Sequence, residues 1–233
     1  MKKIVFSPSR VWKAEKGLTV LLAFLVATFF LSYPFVLWPA GKLLVLIFFS
    51  FLLISGAFIV FKKRILGLIV TGLVLISLIL HWVNFYQAAE GLGPWIAFFN
   101  FLFCCLLAFI VLILVFHEGP VTAHRITGAI VVYLLFGLMW GFLYQLIALL
   151  LPEAFKLPQA MTTYTADMSQ NSLLYFSFET LTTLGYGDIL AVHPVARVLV
   201  ILEALTGQLF PAILLARLVS LQIVHSRDKK RDQ

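Results

Sequence analysis

The stretch NSLLYFSFETLTTLGYGDI, Asn171 to Ile189, decides how this chain is read. It begins as an apolar, aromatic-rich run that suits a short helix and ends in two alternating glycines, Gly185 and Gly187. A helix of about twelve residues reaches only ~18 Å, too little for a hydrocarbon core of about 30 Å. The run is predicted to enter a membrane as helix and return as extended backbone. Irregular backbone at that depth is tolerated only where it is buried in protein or lines water. The glycines permit backbone angles closed to other residues, so successive carbonyls can face one way. A row of inward carbonyls, with the Thr183 hydroxyl, then forms stacked oxygen rings if several chains meet on an axis. Such rings replace the water shell of an alkali cation. The helix before them points its partially negative C-terminal end at the membrane centre, which also favours a cation.

The rest of the chain supplies that membrane. Of its 233 residues 62% are apolar and 12% charged, against roughly 45–50% and about 25% in a soluble domain, and the mean hydropathy is +1.06. A soluble globule of this size has no interior large enough for that much apolar surface. The two cysteines, Cys104 and Cys105, are adjacent inside an apolar run, so no disulfide framework is implied. Neither they nor Asn100 nor the scattered His81, His117, His124, His193 and His225 have metal-ligand spacing. Spans are predicted over Leu18–Leu37, Leu43–Phe61, Ile65–Phe85, Ile96–Phe116, Ile126–Leu151 and Pro194–Leu221. The first is longer than the apolar core of a signal peptide and is read as a retained span. Polar residues from Pro152 to Gln170 read as an exposed outer turret.

Fourteen of the 17 Lys and Arg residues fall in the N-terminal segment, the second-to-third and fourth-to-fifth connections and the last stretch from Arg217 onward; only Lys42, Lys156 and Arg197 lie opposite. By the positive-inside rule both termini are cytoplasmic. The net charge of +7 thus reports topology and contact with anionic lipid heads, not nucleic-acid binding. Trp38, Trp82 and Trp95 fall near outer span ends, where indoles prefer to sit.

Thr-x-Gly-Tyr-Gly-Asp after an aromatic-rich short helix, between two apolar helices, resembles the potassium channel family. The resemblance covers Ile126 to Leu221. It implies a homotetramer with Thr183, Leu184, Gly185, Tyr186 and Gly187 as the selectivity filter and K+ held at Thr183, Leu184, Gly185 and Tyr186. Leu184 stands where valine is more frequent; a backbone carbonyl does the coordinating, so packing behind the filter is the property expected to differ. Glu179 lies nine residues before Asp188, as in channels where these carboxylates pair behind the filter and share a proton. Tyr175 and Phe176 match an aromatic cuff, Thr182 supports the filter, Gly207 matches an inner-helix hinge, and Pro211 bends the same region.

Other residues read from the sequence itself. Gly137 and Gly141 have small-xxx-small spacing for close helix approach, with the last span as expected partner. Glu203 is a deep carboxylate with two readings: a cavity charge that concentrates cations and attracts polyamines or magnesium, or a structural acid packed against the filter helix. Ile96–Phe116 has no Lys or Arg and the first three spans no Asp or Glu, so the four-helix part resembles a voltage sensor only in number and position.

The chain reads as an all-α membrane protein: an N-terminal segment (1–17), a four-helix membrane domain (18–116), a pore domain (117–221) and a short tail (222–233). The expected function is a K+-selective channel subunit in the plasma membrane, with lipid and K+ as partners. No cofactor is expected beyond K+ itself, and any cytoplasmic regulator is expected as a separate chain. The alternatives are a transporter subunit and a pore-like regulatory subunit that does not conduct alone. A membrane enzyme lacks support from any catalytic constellation.

Overall fold

The computed structural model describes residues 8–32, 39–60, 64–87, 91–116, 122–158 and 166–231. Its helices are α1 (Pro8–Ser32), α2 (Pro39–Val60), α3 (Arg64–Gln87), α4 (Gly93–Val115), α5 (Ala123–Leu150), α6 (Ala166–Leu181) and α7 (Pro194–Arg231). Two short strands, β1 (Phe155–Lys156) and β2 (Leu190–Ala191), pair antiparallel with Phe155 opposite Ala191 and Lys156 opposite Leu190. The all-helical expectation therefore stands, apart from this ribbon. The turret expected over Pro152–Gln170 is in part structured: its start forms β1 and its end lies inside α6, while 159–165 lie outside the described residues.

Five helices, over Ala40–Val60, Ile65–Gln87, Gly93–Val115, Ala123–Leu150 and Pro194–Ser220, are long and apolar enough to cross a bilayer. The apolar part of α1 covers Gly17–Phe30; the end of the span expected over Leu18–Leu37 lies outside the described residues. α6 is 16 residues long, short of a crossing.

α5 is the hub, packing on α1, α4, α6 and α7. It is buried along Val131, Val132, Leu135, Leu138 and Phe142, and small residues let its neighbours close in. A methyl group on Gly128 would lie 2.8 Å from the Val115 side chain of α4. One continuous apolar core joins Leu21 of α1, Leu52 of α2, Val70 of α3, Leu107 of α4 and Leu135 of α5. The four-helix part and the outer helix of the expected pore are thus packed as one body. α7 is the opposite case. Only 11% of its apolar window is buried, and Val198, Ile201, Leu205, Leu209 and Ile213 stay exposed on the isolated chain.

Candidate functional site

α6 points its C-terminus at the Thr182–Asp188 stretch, and the way it stops sets that stretch's course. Leu184 N–H donates to Glu179 C=O at 2.8 Å, and Thr183 N–H donates to Thr180 C=O at 3.0 Å. This pair of backward bonds, with a left-handed residue between helix and extended chain, is a Schellman cap. The left-handed position is usually glycine; here it is Thr183, at φ 58°. That choice costs about 1–2 kcal/mol in local backbone energy and keeps a hydroxyl where the chain leaves the helix. Gly185 and Gly187 follow at φ 62° and 75°, so every second residue from Thr183 to Gly187 is left-handed.

Three side chains and one glycine hold this turn in place. Thr182 Oγ1 donates back to Phe178 C=O at 2.7 Å, closing the end of α6. Glu179, almost fully buried, accepts the Gly187 N–H on Oε1 at 3.2 Å, so its carboxylate reaches the far end of the loop. Burial raises the Glu179 carboxyl above its ordinary pKa; the Gly187 amide opposes this and the charge of Asp188 adds to it. Glu179 Oε2 meets no hydrogen-bond partner, and Asp188 Oδ1 accepts the amide of Ile189 at 2.9 Å. Glu179 therefore meets the far end of the loop through the Gly187 amide and through the side chain of Asp188. Tyr133 on α5 donates its hydroxyl to Leu181 C=O at 3.2 Å. Gly207 on α7 faces that same carbonyl: a methyl there would overlap its oxygen and lie 2.8 Å from its carbon.

Beyond the loop, the β1–β2 ribbon and the Val192 N–H to Ala154 C=O bond at 2.9 Å tie the chain to the exit of α5. Arg197 Nε donates to Ala191 C=O at 3.1 Å. Phe176 packs into an aromatic group with Tyr144 at 5.5 Å and Phe155 at 5.7 Å between ring centroids, and half-buried Tyr175 lies against it. Leu184 and Tyr186 are 56% and 71% exposed on the single chain.

Two expectations change. Glu203 is not a cavity charge: it has no exposed surface and lies within hydrogen-bond distance of the hydroxyls of Tyr144 on α5 and Ser177 on α6, both at 2.5 Å. Its helix face turns toward the subunit interior, where two hydroxyls offset its desolvation. The Gly137–Gly141 notch receives α6, not the last span. A methyl on Gly137 would lie 2.5 Å from the Phe178 ring, and one on Gly141 would lie 3.1 Å from Leu174 Cα. Gly207 and Pro211 lie within one continuous α7, so close packing on α6 gives Gly207 a role besides bending. Pro211, lacking an N–H, leaves the Gly207 carbonyl without its helical donor.

A polar group that the sequence did not reveal lies among α3 and α4. Ser77 donates to Asn100 Oδ1 at 2.5 Å, and Asn100 Nδ2 lies 3.0 Å from His81 Nε2. Cys104 beside it is buried. Among the described residues no group of His, Cys, Asp and Glu could hold a metal.

Among the described residues, five helices long and apolar enough to cross a bilayer, with a short helix leading into a loop, mark an integral membrane protein. Residues 126–222, from α5 through most of α7, match the family model described as ion channel. That part of the chain, which carries the loop, is similar to ion channels. Comparison of the chain with curated proteins and with solved structures gave no match.

Proposed function

We propose that this chain is a potassium-selective channel subunit that assembles as a homotetramer, with Thr183, Leu184, Gly185, Tyr186 and Gly187 as its filter. The observation that carries this reading is the alternation of left-handed backbone at Thr183, Gly185 and Gly187. Residues of alternating hand turn successive carbonyls to one side, so that four copies enclose an oxygen-lined path. A K+ ion entering it exchanges its water shell for carbonyl oxygens of Thr183 to Tyr186 and the Thr183 hydroxyl. Each site binds well enough to admit an ion, and repulsion from the next ion moves it on.

The tetramer is supported by what one chain leaves open. Leu184, Tyr186 and the apolar face of α7 lie exposed, and Gly185 and Gly187 have no atom within 4 Å of an added methyl. A single loop cannot surround an ion, and a ring of identical copies closes it. Six spans with both termini cytoplasmic follow from α1 completing a crossing and from the Lys and Arg distribution. The plasma membrane is the location that suits this topology. Glu179 and Asp188 support the filter from behind, Glu179 through the Gly187 amide. α4 has no Lys or Arg along Gly93–Val115, so gating without a conventional voltage sensor belongs to the same proposal, with any cytoplasmic regulator on a separate chain.

The test is potassium flux from liposomes containing only the purified protein. K+-loaded vesicles should release K+ and exclude Na+. Tetramers that pass no ion unless another protein is added would place the chain among regulatory subunits instead.

A further inference from the structure

Three helices meet at Glu203, and their hydrogen bonds can be counted. Tyr144 O–H on α5 donates to Glu203 Oε2 at 2.5 Å. Ser177 Oγ on α6 lies 2.5 Å from Glu203 Oε1 and 2.7 Å from the Gly137 carbonyl oxygen on α5. A serine hydroxyl has one hydrogen to donate. Given to the carboxylate, it leaves Ser177 Oγ and Gly137 O facing each other with lone pairs only. Given to Gly137, it leaves the same conflict between Ser177 Oγ and Glu203 Oε1. Three oxygen–oxygen contacts require three hydrogens, and the two hydroxyls supply two. The third belongs on Glu203.

We propose that Glu203 is a neutral carboxylic acid at physiological pH: its Oε1–H donates to Ser177, whose hydroxyl donates to Gly137, and this chain holds the pore helix between outer and inner helices. The surroundings agree. Among the described residues the titratable groups that act on Glu203 are Tyr144 and Tyr133, both from α5; α6 offers Ser177, which does not titrate, and no cation among them acts on it. An ionised carboxylate in a buried membrane site with no positive partner is unfavourable. The neutral acid fills every contact without a charge. Glu203 has no exposed surface, so it is a positioning residue: Ser177 lies two residues before Glu179 on α6, and the Glu179 side chain holds the Gly187 amide. The purpose of that positioning rests on the channel reading; the protonation state does not.

Infrared difference spectroscopy of the purified protein in lipid, wild type against Glu203→Gln at neutral pH, tests the proton directly. The expected difference is a protonated-carboxyl C=O band present in the wild type and absent from the variant, with carboxylate bands unchanged. Loss of carboxylate bands instead would overturn the proposal. If Glu203→Gln does not assemble, Glu203→Asp serves the same subtraction: the protonated band must shift, and a shift of carboxylate bands contradicts the proposal. Flux gives a second arm. Gln presents an N–H to Ser177 and a carbonyl to Tyr144, so Glu203→Gln should conduct close to wild type. Glu203→Ala and Ser177→Ala should lose about tenfold, the factor that a broken buried hydrogen bond produces. A folded Glu203→Gln tetramer as impaired as Glu203→Ala would contradict the neutral acid. A wild type that passes no potassium would end the channel reading and leave the infrared result standing.

Discussion

Gly207 on α7 and Leu181 at the end of α6 meet backbone to backbone. A methyl on Gly207 would lie 2.8 Å from the Leu181 carbonyl carbon and 3.1 Å from its Cα, and that carbonyl already accepts the Tyr133 hydroxyl. The inner helix therefore presses on the residue from which the loop departs, two positions before Thr183. Movement of α7 and the shape of the loop from Thr183 to Gly187 are mechanically joined at this point.

Gly207→Ala should consequently do more than stiffen a hinge. Forcing an extra methyl against packed backbone costs about 1–3 kcal/mol, and here the yielding atoms are the Leu181 backbone from which the loop departs. Potassium flux should fall about tenfold or more, and the tetramer's thermal stability should drop with it. A variant with unchanged stability and selectivity but altered open probability would assign Gly207 to bending alone.

Gly185→Ala should abolish potassium flux for a different reason. Its added methyl meets no atom within 4 Å on its own chain, but φ is 62°, a conformation that costs an alanine about 1–2 kcal/mol. The carbonyl should turn away while the tetramer still forms. Size-exclusion chromatography and liposome flux check the two halves, and normal flux would remove Gly185 from the ion path.

Glu179→Ala should leave the Gly187 amide without its acceptor, at about 1–3 kcal/mol. Open-state lifetime should change by roughly tenfold, since 1.4 kcal/mol is one decade, while ion selectivity changes less. Glu179→Gln retains an acceptor oxygen and should lie closer to the parent. Identical single-channel kinetics in all three would show that the Gly187 bond does not govern the filter.

Voltage should not open this channel steeply. Moving one charge through 100 mV is worth about 2.3 kcal/mol, and steep gating uses roughly 3–4 charges per subunit; α4 offers none over Gly93–Val115. With Glu203 buried, blockers drawn to a cavity carboxylate are no longer a source of residual voltage dependence. Patch-clamp in symmetrical potassium should give a shallow conductance–voltage relation, and several gating charges per channel would contradict this.

How much of this was legible in the sequence follows from how local each signal is. The apolar runs that became α2 to α5 are long, the run of α7 stays apolar despite Arg197, Glu203, Gln208 and Pro211, and the loop's glycines sit within a few residues of each other, so these could be read directly. Direction around a helix could not. Nothing in the spacing of Glu203, Gly207 and Arg197 says which face α5 and α6 will cover, so Glu203 stood between cavity and interior until Tyr144 and Ser177 were seen to meet it. Gly137 and Gly141 announced a close approach but not its partner, because α6 is too short to have been counted among the packing spans. Ser77, His81 and Asn100 lie on two helices and form a group only when those helices pack. The β1–β2 ribbon, two residues a side, is too short to show a period.

The reversal potential of single channels in a planar bilayer, with K+ on one side and Na+ on the other, tests the central claim most directly. Potassium selectivity should put the reversal far toward the potassium equilibrium potential, each tenfold of permeability ratio adding about 59 mV, and Gly185→Ala should lose the current. A wild-type reversal near zero, with sodium passing as readily as potassium, would contradict it.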